Sequence, residues 1–124
     1  MIILDLQDRR PIYEQIAEKF RLLILSGAMP PGSRMPSVRN LALELSINPN
    51  TIQRAYMELE QQGLIYPVKG KGNFIADSDD IRKISRHTYF RELSDLVRKG
   101  RDMGFEEDEL VYVIRDCYKE GEND

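Results

Sequence analysis

A group of polar side chains near the middle of the chain carries hydrogen-bonding atoms of the types that pair with the edges of DNA bases. Asparagine and glutamine pair with adenine, arginine pairs with guanine, and threonine donates to a phosphate or touches a thymine methyl. Ile52, Tyr56 and Leu59 alternate with this group at the spacing of a buried helix face. The pattern predicts a helix that exposes the polar group on its first turns: Asn50, Thr51, Gln53 and Arg54.

Further basic residues flank that helix on both sides. Arg39 falls in the first turn of a preceding short helix, where a helix end can cross the phosphate backbone. Lys69 and Lys71, separated by Gly70, form the turn between two short runs of β-prone residues. Each cation alone is typical of a solvated surface, and Arg39 and Arg54 have acidic neighbours along the chain in Glu44 and Glu58. Together they predict a surface that approaches DNA.

The elements that position these residues can be followed along the chain. The spacing of apolar residues predicts a first helix from Pro11 to near Gly27, and the segment AMPPGSRMPS then predicts a loop. Ser37 is placed to cap the second helix, and Asn48 to cap the third. Helix, short turn, helix and basic hairpin follow one another in the order of a winged helix-turn-helix, whose second helix enters a major groove while the wing reaches an adjacent groove or the backbone.

The C-terminal part predicts two more helices with apolar faces, the second beginning with an acidic first turn near Glu106. Faces of this width exceed what one short antiparallel pair hides, which predicts a homodimer interface. The fold class is therefore mostly α with a small β-hairpin: a winged helix-turn-helix over residues 1–76 and a two-helix dimerisation segment over residues 77–124. The interface residues would be Ile81, Ile84, Phe90, Leu93, Val97, Leu110, Val113, Ile114 and Cys117, with Tyr118 beside them.

Composition limits the classes of protein that fit. The 124 residues suit one small globular unit, and the net charge of -3 is unevenly divided. Residues 1–76 carry 9 basic and 7 acidic groups, whereas residues 77–124 carry 9 basic and 14 acidic groups. The overall acidity therefore does not argue against a nucleic-acid partner, because binding depends on the field of one face.

Several functions are disfavoured by what the sequence lacks. No stretch is long and apolar enough for a membrane span or a cleavable signal, which predicts a cytoplasmic protein. The single cysteine, Cys117, rules out an internal disulfide, and the single histidine, His87, disfavours a transition-metal site within a monomer. No nucleophile with a base, phosphate loop or paired carboxylates appears, so neither an enzyme nor a cofactor is predicted.

The motifs also carry a family resemblance. The stretch from Met35 to Ala76, together with PIYEQI and PPGSRMPS before it, resembles the DNA-binding domain of the GntR family of bacterial transcription regulators. The short two-helix C-terminal part is similar to that of the YtrA-like subfamily, in which it makes a dimer. The resemblance implies that double-stranded operator DNA is the partner and that Arg39, Asn50, Thr51, Gln53, Arg54, Lys69 and Gly70 contact it.

Two positions depart from the family pattern. Ser46 stands where many relatives have glycine, so a left-handed turn there would cost on the order of 1 kcal/mol more. Pro49 stands where other family branches have a basic residue, so the phosphate contact that the resemblance implies there lacks its usual cation.

The leading hypothesis is a repressor that binds a two-fold symmetric operator as a homodimer. The alternative is a winged-helix module that binds protein, without specific DNA binding. A small-molecule or metal sensor has little room within one subunit, since the last two helices hardly enclose a pocket of about 300 Å³. A pocket between two subunits stays open as an alternative. The sequence leaves the effector, if there is one, unidentified.

Overall fold

The computed structural model describes residues 4, 5 and 7–122. These residues divide into two compact units, and the boundary lies between Asp79 and Asp80. The first unit contains α1 (Ile12–Leu25), α2 (Val38–Leu45), α3 (Pro49–Gln61), β1 (Ile65–Val68) and β2 (Gly72–Ile75). The second is formed by α4 (Asp79–Asp102) and α5 (Glu107–Glu122). The predicted fold class, mostly α with a small hairpin, is confirmed.

The core of the first unit is built from the apolar positions that the helical spacing singles out. Helix α1 packs chiefly against α3, and α2 packs against α3 from another side. Each fully buried large side chain contributes about 1.5–3 kcal/mol relative to exposure, and these contacts fix the three helices as one body. The largest buried side chains are Ile16, Ile24, Ile52, Tyr56, Leu59, Leu64 and Ile75.

The hairpin is antiparallel, with Ile65 opposite Ile75 and Val68 opposite Gly72. A third segment lies along β2, where Arg34 forms an isolated β-bridge with Phe74. The backbone N–H of Met35 donates to the carbonyl of Asn73, and that of Ile75 donates to the carbonyl of Ser33, both at 2.8 Å. The proline-rich segment predicted as a plain loop therefore contains a short extended stretch that is paired with β2.

In the second unit, α4 and α5 are joined by a short turn in which Gly104 adopts a φ of +89°. Gly100 is buried in the last turns of α4, and a Cβ placed there would lie 3.3 Å from Cδ2 of Phe105 and 3.7 Å from Cδ1 of Leu110. The backbone N–H of Glu106 donates to Oε2 of Glu109 at 2.7 Å, which closes the start of α5. The acidic residues at this point thus stabilise the start of α5, as the sequence indicates.

Among the described residues, no helix is both long and apolar enough to cross a membrane.

Candidate nucleic-acid interface

The turn between α2 and α3 sets the direction of the candidate recognition helix. Ser37 caps α2 by accepting a hydrogen bond from the backbone N–H of Asn40 at 3.1 Å. Ser46 ends α2 in the left-handed region, with φ 56° and ψ 45°, and the N–H of Ile47 donates to the carbonyl of Ala42 at 2.9 Å. The left-handed turn expected at this position is therefore present, and it is made by a residue with a Cβ.

Helix α3 begins as predicted. The side chain of Asn48 accepts from the backbone N–H of Asn50 at 2.8 Å, and Pro49 occupies the first helical position. The cap uses only the backbone of Asn50, so the amide side chain of Asn50 is left to project from the first turn.

Tyr56 anchors α3 from its inner face. The Tyr56 hydroxyl donates to the carbonyl of Pro36 at 2.7 Å, and the ring meets Phe20 of α1 edge to face with centroids 5.8 Å apart. Burial raises the pKa of the Tyr56 hydroxyl, so the group stays neutral and keeps its proton for this bond. One side chain thereby joins α3 to α1 and to the segment that enters α2.

The outer face of α3 presents the predicted base-reading residues. Asn50, Gln53 and Arg54 are exposed, and Thr51 is half-buried. Within the described part of the chain, the side chains of Asn50 and Gln53 form no hydrogen bond. Two amides are thus available to an incoming base edge.

Arg54 has a neighbour that the sequence did not reveal. Its guanidinium carbon lies 3.9 Å from the centroid of the Tyr13 ring on α1, in a cation–π contact. No ion pair between Arg54 and Glu58, nor between Arg39 and Glu44, is present among the described residues. The ring limits the positions of an exposed cation at the edge of the outer face of α3, and such a contact is worth about 0.5–1 kcal/mol at an exposed site.

The hairpin places its basic turn in solvent, as predicted. Lys69, Gly70 and Lys71 are exposed between the paired residues Val68 and Gly72. Gly70 has a φ of +77°, a conformation that glycine adopts without strain. The two lysines therefore stand on a short projecting tip, which is the form of a wing.

Two stretches of the first unit, which include the start of α2 and the hairpin, carry only positive charge. Residues 26–43 and 61–76 contain Arg34, Arg39, Lys69 and Lys71 but no aspartate or glutamate. The positive charge of these stretches is thus local, and the whole-chain charge of -3 conceals it. Arg34 was not among the predicted site residues, because the sequence places it in a loop and gives no sign of its pairing with the wing.

The predicted dimerisation residues lie in the second unit and differ in exposure. Ile81, Leu93 and Leu110 are half-buried within the described chain. Ile84 is 66% exposed and Val113 is 56% exposed, and apolar side chains so open to water are a cost unless another surface covers them. The other exposed members of the predicted interface are Phe90, Val97, Ile114 and Cys117.

No group of three or more histidine, cysteine, aspartate or glutamate side chains suited to a metal ion occurs in the described ranges.

Comparison with known proteins places the first unit in a family. The family model for bacterial regulatory proteins of the gntR family matches residues 12–75. The HTH-type transcriptional repressor YtrA of Bacillus subtilis is 45% identical over 78 residues, which cover 63% of this chain and 60% of YtrA. The uncharacterized HTH-type transcriptional regulator YhcF of the same organism is 34% identical over 110 residues, which cover 88% of this chain and 91% of YhcF. These relatives are named as regulators, in agreement with the prediction that the chain is not an enzyme.

Solved structures agree with the winged-helix prediction. A GntR family transcriptional regulator from Listeria monocytogenes matches with a TM-score of 0.70 at 30% identity, covering 89% of this chain and 97% of that one. The DNA-binding domain of AraR, solved in complex with operator ORR3, matches with a TM-score of 0.53 at 31% identity, covering 60% of this chain and 89% of that one.

Proposed function

Since the chain belongs to the GntR family of bacterial regulatory proteins and is a DNA-binding transcription regulator, we propose that it is a repressor that binds a two-fold symmetric operator as a homodimer. The observation that carries the proposal is the exposed face of α3, with its unpaired amides, beside a wing and an α2 entry that hold cations and no carboxylates. Phosphate binding needs this local excess of positive charge, and base reading needs free amide and guanidinium groups.

The contacts divide into two kinds. Asn50, Gln53 and Arg54 read base edges from the first turns of α3, with Thr51 beside them at a phosphate or a thymine methyl. Arg39, Lys69 and Lys71 hold phosphates on either side, and Gly70 lets the wing backbone approach DNA closely. This division supports specific binding, since phosphate contacts alone fix position without reading sequence.

The homodimer is proposed from the second unit. Its exposed apolar side chains need a cover, and a second copy of the same segment offers a surface of the same composition. A two-fold dimer presents two α3 helices to two half-sites about one helical turn, or roughly 34 Å, apart. An operator with inverted half-sites follows from this symmetry.

Repression is proposed because YtrA, the relative with 45% identity, is named a repressor. A dimer seated on an operator within a promoter excludes the transcription machinery by occupancy alone. The protein then acts where the chromosome is, in the cytoplasm.

The test selects genomic fragments bound by the full-length protein and titrates the recovered site against a scrambled duplex over a range of salt concentrations. We expect a palindromic site and an affinity that falls by about 0.9 log unit per log unit of salt for each phosphate contact. A reporter gene behind the site should be expressed more strongly in cells that lack the protein. Equal, salt-insensitive binding to both duplexes would instead support the protein-binding alternative, and reduced reporter expression would indicate an activator.

A further inference from the structure

Arg34 lies on the wing although the sequence places it 35 residues before the wing tip. We propose that Arg34 is a further DNA-contacting residue, which binds a backbone phosphate beside the groove that the wing tip enters. The inference rests on the proposed operator binding and adds a contact to it.

The backbone of Arg34 is fixed against the outer strand of the hairpin. Arg34 is bridged to Phe74, and its two chain neighbours bond to β2: the N–H of Met35 to the carbonyl of Asn73, and the carbonyl of Ser33 to the N–H of Ile75, both at 2.8 Å. These bonds form a short ladder between the segment and β2, in which Arg34 makes an isolated β-bridge. A residue in such a ladder loses little further backbone freedom on binding DNA.

The side chain of Arg34 lies over Gly72. A Cβ placed on Gly72 would be 3.4 Å from Nε of Arg34 and 3.6 Å from Nη2, so the absence of a side chain there leaves room for the guanidinium. Gly72 also has a φ of +106°, which disfavours any other residue. The guanidinium is therefore directed along the wing and lies beside Gly72, next to Lys71 in the chain.

The guanidinium of Arg34 is exposed and has no anionic partner among the described residues. Residues 26–43 and 61–76, which include Arg34 and the hairpin that it pairs with, contain no carboxylate. Its planar fork of donors matches the geometry of a phosphate, to which it binds through two parallel hydrogen bonds. A phosphate is favoured over a base edge because Arg34 sits behind the tip formed by Lys69 and Lys71, on the side of the wing base.

The test compares full-length variants on the operator recovered by genomic selection and on a scrambled duplex. Arg34→Ala should weaken binding about tenfold on both duplexes and reduce the salt slope by about 0.9, with an unchanged melting temperature. Arg34→Lys keeps the charge and should keep the slope while losing part of the affinity. Lys19→Ala, which removes one exposed charge from α1, is the matched control and should leave affinity and slope near wild type.

Arg34→Gln removes the charge but keeps a side chain with a polar end. It takes the place of Arg34→Ala if the alanine variant has a lowered melting temperature. Wild-type affinity and slope in the charge-removing variant would overturn the inference, and so would a loss confined to the operator, which would mean base reading. A lowered melting temperature in both neutral variants with an unchanged slope would show a structural role. Failure of the wild-type protein to prefer its operator would overturn the proposed function itself, and this outcome is distinct from the others.

Discussion

Arg54 illustrates how one side chain combines a structural contact with an exposed donor group. Its guanidinium rests on the Tyr13 ring at 3.9 Å, yet the residue remains exposed on the outer face of α3. A guanidinium that lies over an aromatic ring keeps N–H groups at its edge for a guanine. The contact with the Tyr13 ring is therefore compatible with base reading. It also reduces the side-chain conformational freedom that Arg54 would lose on binding DNA.

Replacing Arg54 with alanine should cost about 1–3 kcal/mol in operator binding and relax the preference at particular base pairs. Lys69→Ala is the matched comparison: it should weaken all sequences about equally and lower the salt slope by about one. Titrations against a panel of single-base operator variants measure both effects. If Arg54→Ala weakens every duplex by the same factor, Arg54 serves as a phosphate contact or a packing residue and does not read bases.

Ser46 is under backbone strain, because φ 56° brings the Cβ of an L-residue close to its own carbonyl oxygen. Ser46→Gly should raise the free energy of unfolding by about 0.5–1 kcal/mol, since relief of that strain exceeds the added flexibility of glycine in the unfolded chain. Ser46→Ala retains the Cβ and should show no gain. Denaturant titration of the three proteins measures the difference, and equal gains in both variants would contradict the strain argument.

At the level of elements, the position of α3 depends on Tyr56. Tyr56→Phe keeps the ring against Phe20 but leaves the carbonyl of Pro36 without its donor, so we expect a loss of about 1 kcal/mol in unfolding free energy.

The raised pKa of Tyr56 also gives a pH dependence: the folded protein keeps the phenol proton that the unfolded chain releases above about pH 10. Stability should therefore fall as pH rises beyond that value, and fall less steeply in Tyr56→Phe. Denaturant titrations at pH 7 and pH 10.5 measure both effects, and parallel pH profiles would refute the assignment.

Local patterns predicted most elements of the first unit, because each rests on residues close in sequence. The caps Ser37 and Asn48, the buried stripe of α3 and the turn at Gly70 all belong to this class. The contacts that were missed join distant segments: Arg34 pairs with Phe74, and Arg54 stacks on Tyr13. Neither is encoded in a local period or motif, so the pairing of Arg34 with β2 and the contact between Arg54 and Tyr13 required the tertiary structure.

At the scale of the whole molecule, the proposed division of labour is that the first unit reads DNA and the second joins two copies. Removal of residues 77–124 should leave the first unit folded, since the buried apolar side chains of its core end at Ile75 and the N–H of Ala76 donates to the carbonyl of Leu64. The shortened protein should be monomeric. When two copies of the first unit are joined, binding to the second half-site becomes intramolecular. The intact protein should therefore bind a palindrome about 10² to 10⁴-fold more tightly than the shortened one.

Ile114→Glu tests the interface in the full-length chain, because it places a charge on the exposed apolar face of α5. Lys119→Glu is the matched control, five residues further along α5 and on the opposite side of the helix from that face. A charge buried without a partner is costly, so Ile114→Glu should shift sedimentation from dimer to monomer and reduce affinity for the palindrome to that for a half-site. Lys119→Glu should remain dimeric. The proposal is wrong if the wild-type protein sediments as a monomer at tens of micromolar, or if Ile114→Glu dimerises and binds the palindrome as tightly as the wild type does.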